Sequence, residues 1–189
     1  SVASGALDEV TKIIKPGIKT DDIDKLCFEF INDNEAYSAP LFYRGFPKSC
    51  CTSANHIVCH GIPKDKILRE GDIINVDVTA YKNGWHGDTS RMYFVGEVST
   101  KAKKLVKATY DAMIKSIKIL KKDICVGDIG SVIQKHVEQQ GFSVVRDFCG
   151  HGTGKNFHEP PNILHYGEPK TGDKLKTGMI FTIEPMINE

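Results

Sequence analysis

No apolar run in this chain approaches the ~20 residues that a helix needs to cross a bilayer, and no charged-then-apolar segment opens it. Charge of one sign is also lacking: 25 Lys and Arg stand against 24 Asp and Glu, a formal net charge of +1. A general nucleic-acid binder carries a marked basic excess, so no specific nucleic acid and no membrane are expected as partners. The six cysteines, Cys27, Cys50, Cys51, Cys59, Cys125 and Cys149, include no CxxC pair. With Cys50 and Cys51 adjacent, free thiols in a reducing compartment are the expectation. Linkers and low-complexity segments are missing, and so is an initial Met; the chain runs from Ser1 to Glu189 and stops inside what reads as a strand. The reading is one soluble, intracellular α+β domain over 1–189, incomplete at both ends.

What is present is periodic. Val2, Ala6, Leu7, Val10, Ile13 and Ile14 recur at helical spacing up to Pro16-Gly17. A second helix is predicted with Thr20 as N-cap and Ile23, Leu26, Cys27, Phe30 and Ile31 as its apolar stripe. Leu105, Val106, Thr109, Ala112, Met113, Ile117 and Leu120 predict a third helix. Ile129, Val132, Ile133, His136 and Val137 predict a fourth, closed by Gly141. Strand-like runs lie at 73–81, 89–96, 142–148 and 179–187. "IKTDDID" (18–24) and "ICVGDIG" (124–130) share Ile, Asp and Ile in register, each leading into the second helix of its pair. The repeated order of helix, helix, strands points to two related halves.

Within "NVDVTAYKNGWHGDTSRMY", Asn83-Gly84 is a hairpin-turn signal between two β-like runs. A two-residue loop sets Lys82 opposite Trp85, Asp77 opposite Ser90 and Thr79 opposite Asp88, which makes Asp77 and Asp88 diagonal neighbours on one face. Val76 and Val78 take the other, apolar face. Two inward carboxylates repel and desolvate one another, and a divalent cation relieves both. For an isolated Asp pair, a solvated hairpin face is the alternative. In "MIFTIEPMI", Glu184 shares a predicted strand face with Ile180 and Thr182, where an unpaired carboxylate would be costly to bury. In "FCGHGTGKNFHEPPNILHY" (148–166), three histidines stand among glycines and prolines that disfavour regular structure.

Together with "GFPKSCCTSANHIVCHGIP", these motifs resemble the type I methionine aminopeptidases, in the order that family requires, from the first helices to the last residue. The resemblance implies a pita-bread fold, two pseudo-symmetric α+β halves around a dinuclear metal site. It implies Asp77, Asp88, His151 and Glu184 as metal ligands, with Asp88 bridging. Glycines 150, 152 and 154 would leave room for backbone beside the metals. Mostly oxygen donors with one imidazole suit two ions of Mn, Fe(II) or Co(II), with Zn as an alternative. The resemblance makes His158 the group that stabilises the substrate carbonyl and His60 the contact to the scissile amide. The resemblance further implies that Glu184 would shuttle a proton while a metal-bound hydroxide attacks the first peptide bond. Tyr43, Phe46, Cys51 and Phe157, with Pro40 nearby, would form the slot for the methionine side chain. His56, His86, His136 and His165 are assigned structural roles.

Nascent polypeptides with an N-terminal Met are the implied partners, in the cytoplasm or, behind an N-terminal extension, in an organelle; an association with the ribosome would go with that role. The family carries one more bridging glutamate on a later strand, preceded by a pocket tryptophan, and neither has a counterpart here. Glu189 is no substitute, since five positions beyond Glu184 a continuing strand points it to the other face. For a polypeptide that truly ended at Glu189, weak metal binding and low activity are the expectation. Two other readings remain: an X-Pro peptidase of the same fold, and a non-catalytic binding module.

Overall fold

The computed structural model describes residues 1–189. The chain forms two compact units, one of Ser1–Ser99 with Lys155–Phe157, the other of Thr100–Gly154 with His158–Glu189.

In the first unit, α1 (Val2–Ile13) and α2 (Thr20–Asp33) precede β1 (Tyr37–Ser38), β2 (Cys51–Ala54), β3 (Ile73–Lys82) and β4 (Trp85–Phe94). The central strand β3 pairs antiparallel with β1, β2 and β4. Helix α1 buries Ala3, Ala6, Leu7 and Val10, and α2 buries Ile23, Cys27 and Ile31. They share a core with Ile74, Val76 and Val78 of β3, all inaccessible to solvent. Each such aliphatic side chain contributes about 1.5–3 kcal/mol. Two side chains of β4 tie α1 down: Tyr93 donates its hydroxyl proton to Leu7 O (2.6 Å), and Arg91 reaches Asp8 Oδ1 (3.0 Å).

In the second unit, α3 (Thr100–Lys118) and α4 (Val126–Glu138) precede β5 (Ser143–Val144), β6 (Gly150–Gly152), β7 (Glu159–Ile163) and β8 (Ile187–Asn188). Ala108 and Ala112 of α3 share a core with Ile129, Ile133 and Val137 of α4. Strand β5 pairs with β8, and β6 with β7, both antiparallel.

The matching heptapeptides do the same work in each unit. Ahead of α2, the Lys19 N–H donates to Asp22 Oδ2 (3.0 Å); ahead of α4, the Cys125 N–H donates to Asp128 Oδ2 (2.9 Å). The carbonyls of Ile18 and Ile124 accept from the N–H groups of Leu68 and Leu175, each at 2.8 Å. Ile23 and Ile129, one residue past the capping aspartates, are both fully buried. The shared letters thus encode one capping device used twice.

Several boundaries differ from expectation. Lys19 is the N-cap of α2, because Thr20 is already helical and its hydroxyl is engaged with the Lys64 backbone. Helix α4 ends at Glu138 with Gln139 as its cap, and Gly141 follows at φ 83°. The run 142–148 yields only Ser143–Val144, and 179–187 is extended but joins a regular ladder only at its end. Conversely, the glycine- and proline-rich stretch 148–166 holds both β6 and β7. No helix is long and apolar enough to cross a membrane, and all six cysteines are unbridged.

Candidate metal centre and methionine pocket

Asn83 (φ 52°) and Gly84 (φ 84°) both occupy the left-handed region, as a two-residue hairpin turn that continues strand twist requires. Strand pairing follows the turn: Lys82 faces Trp85, Asp77 faces Ser90 and Thr79 faces Asp88. Asp77 and Asp88 therefore share a face as diagonal neighbours, while Val76 and Val78 enter the core behind them. Cys51 of β2 is the cross-strand partner of Asp77 on its other side. Burial, then the negative charge of Asp77 and that of Asp88, push the Cys51 thiol far up. The group beside the carboxylates is thus a neutral, apolar thiol, suited to a thioether neighbour.

In the second unit, the His151 backbone N–H donates to Thr182 Oγ1 (3.0 Å), and that hydroxyl donates to Glu184 Oε1 (2.5 Å). The His151 ring places Nδ1 2.9 Å from Gly152 O, a carbonyl that can only accept. The proton is therefore on Nδ1, and Nε2 presents its lone pair 3.5 Å from Glu184 Oε1. Two lone-pair donors at that spacing, each oriented by a second hydrogen bond, suit neighbouring ligands of one cation at ~2.1 Å. His158 lies against His151 with ring centroids 4.2 Å apart. Neither unit by itself gathers three or more His, Cys, Asp or Glu side chains as a metal-holding group.

The glycine at 152 makes room for neighbouring backbone in its own unit. A Cβ there would stand 2.2 Å from Pro160 O and 2.6 Å from Glu159 O. Gly152→Ala should therefore lower the unfolding midpoint by roughly 5–10 °C, from about 2–3 kcal/mol of overpacking. A calorimetric scan matching wild type would refute this.

The residues expected to form the pocket lie in the first unit. The Phe42 N–H donates to Phe46 O (2.7 Å) and the Tyr43 N–H to Pro40 O (2.9 Å), closing a loop in which Phe42 and Arg44 both have positive φ. Tyr43 meets Phe157 with centroids 4.8 Å apart and planes inclined at 50°. His60 is held at φ 53°, a strained conformation for a residue with a Cβ, of the kind that concentrates at functional sites. Its neighbour Gly61 would put a Cβ 2.2 Å from Thr52 O, so the segment is pressed against β2.

Sequence reasoning gave His165 and His86 structural roles and gave Thr182 none. Thr182 links His151 to Glu184. His165, fully buried, accepts from the Glu184 backbone N–H through Nε2 (3.2 Å), and burial lowers its pKa to about 4. His86 lies against Phe157. The His-Tyr pair at 165–166 carries no independent signal of such a contact. His136, by contrast, sits between Lys115 and Gln140 as a structural group. Glu189 pairs with Lys101 Nζ at 2.5 Å.

The model of metallopeptidase family M24 matches residues 1–189. A methionine aminopeptidase of Rickettsia prowazekii is 54% identical over 187 residues, 99% of this chain and 72% of the relative. The crystal structure of methionine aminopeptidase from that organism superposes with a TM-score of 0.98 at 53% identity, covering 100% of this chain and 76% of the other. An X-Pro aminopeptidase from Thermotoga maritima gives a TM-score of 0.80 at 23% identity, covering 97% of this chain and 49% of the other, a likeness of fold alone. The fold is the pita-bread fold expected from the motifs, and the chain belongs to metallopeptidase family M24, within its methionine aminopeptidases.

Proposed function

We propose that this chain removes the N-terminal methionine from peptides and nascent proteins by metal-dependent hydrolysis, with Asp77, Asp88, His151 and Glu184 as the ligands of two divalent cations. The observation that carries the reading is the β3–β4 register, which puts Asp77 and Asp88 on one face beside a neutral Cys51. Three carboxylates with one imidazole favour Mn(II), Fe(II) or Co(II).

When bound, such cations polarise the carbonyl and activate water near neutral pH. The side chains supply the rest. Glu184, oriented by Thr182, takes and returns a proton. His158 donates a ring proton to the carbonyl oxygen as it gains charge. His60 contacts the scissile amide. Tyr43, Phe46, Cys51 and Phe157 take the methionine side chain, with thioether contacts to rings worth about 0.3–1.5 kcal/mol each.

Chain loaded with Mn(II) or Co(II) should cleave Met-Ala-Ser and leave Ala-Pro-Ala intact; the reverse preference would favour an X-Pro peptidase. Asp88→Asn should lower both bound metal, measured by elemental analysis, and turnover, each by at least about tenfold. Unchanged metal content would remove Asp88 from the ligand set.

A further inference from the structure

The carboxylate face of the β3–β4 hairpin continues towards its turn. Two residues beyond Thr79 and Asp88, Tyr81 and His86 face one another as register partners. Their rings are 4.8 Å apart and inclined at 48°. The His86 imidazole also lies nearly parallel to the Phe157 ring, centroids 5.6 Å apart and planes 11° apart. Beside this stack, Lys155 Nζ stands 5.8 Å from the Trp85 ring centroid. Phe157 itself lies outside any helix or strand, so its ring is placed by its neighbours rather than by a backbone ladder.

We propose that His86 is a positioning residue of the methionine pocket: backed by Tyr81, its flat ring fixes the plane of Phe157 against Tyr43. The proposal rests on the methionine reading above. Its physical basis is that His86 and Asp88 are successive same-face residues of one paired strand, about 7 Å apart at ~3.4 Å per residue. One rigid ribbon thereby carries both a metal-site carboxylate and the support for the pocket wall. A side chain that merely filled space would have no reason to be planar. The stacked pair prefers an aromatic face.

The test compares kinetics on Met-Ala-Ser and Leu-Ala-Ser. His86→Ala should reduce kcat/KM for the methionine substrate about tenfold, through KM, with kcat changed less than about twofold and the preference for Met over Leu narrowed. His86→Phe, which keeps a flat ring, should restore most of the loss; His86→Leu, apolar but not planar, should not. Equal kinetics in all three variants, or a fall in kcat with KM unchanged, would overturn the proposal. A second measurement needs no variant to be active. In wild-type protein with labelled histidines, the His86 imidazole resonance, assigned by its absence in His86→Phe, should shift as L-methionine is titrated. No shift would overturn the stacking role. If wild-type protein failed to turn over Met-Ala-Ser, the methionine reading would be at fault, and the titration would still decide the role of His86.

Discussion

Glu184→Gln should lower kcat/KM for Met-Ala-Ser by about 10²–10⁴-fold while leaving the fold intact. The amide matches the carboxylate in volume, and its carbonyl can still accept the Thr182 hydroxyl proton that the wild-type carboxylate accepts at 2.5 Å. The backbone N–H of position 184 still donates to His165 Nε2. What disappears is negative charge, and with it both an anionic donor for a cation and an acceptor for a proton. Thermal midpoints of the two proteins should agree within a few degrees, as expected for a change of less than about 1 kcal/mol. A variant that turned over at more than a tenth of the wild-type rate would show that position 184 does not handle the proton.

The second large effect concerns acid. His165 is fully buried, and its pKa falls from 6.5 to about 4. Its Nε2 is occupied in accepting from Glu184, and its Nδ1 has no hydrogen-bond partner. The fold therefore excludes a proton that the unfolded chain binds. Above pH 6.5 neither state is protonated and His165 adds no slope. Below it the unfolded state gains ground until the folded ring also titrates near pH 4, for a loss of about 3 kcal/mol. Urea unfolding at pH 7.5, 5.5 and 4.5 should show that decline, and His165→Leu should show a shallower one. The variant should also start about 1–3 kcal/mol lower at neutral pH, because the Glu184 N–H loses its acceptor. Parallel pH profiles for the two proteins would exclude His165 as the source.

The contrast between these two residues shows what the sequence could disclose. The Asp77–Asp88 relation was legible because every step of it is local: a two-residue Asn-Gly turn fixes register, and strand alternation fixes the face. Helices were legible for the same reason, from spacing alone. The stretch 179–187 reads as a strand with Ile180, Thr182 and Glu184 on one face, and Phe181, Ile183 and Ile187 do pack against the core of the second unit. Its hydrogen bonds, however, go to irregular partners: Ile180 O accepts from Thr153 N–H, and Thr182 N–H donates to His151 O. Such pairing depends on segments distant in sequence, and Pro185 offers no N–H to extend it. The partner of His165 was not legible, for a related reason. Its contact joins a ring nitrogen to a main-chain N–H nineteen residues away, which leaves no trace in residue type or spacing. Gly152 was legible for the right property, absence of a Cβ, and for the right beneficiary, neighbouring backbone. Its space is taken by the β7 backbone.

The short segment Lys155–Phe157 packs with the first unit although the second unit contributes the chain on both sides of it. During vectorial synthesis, then, helices α1 and α2 and the hairpin can assemble while the aromatic wall is still unmade. Tyr43 waits for a partner that emerges only after α3 and α4 have left the exit site. The Tyr43–Phe157 contact is thereby postponed to a late, long-range closure, the slow kind of event in folding.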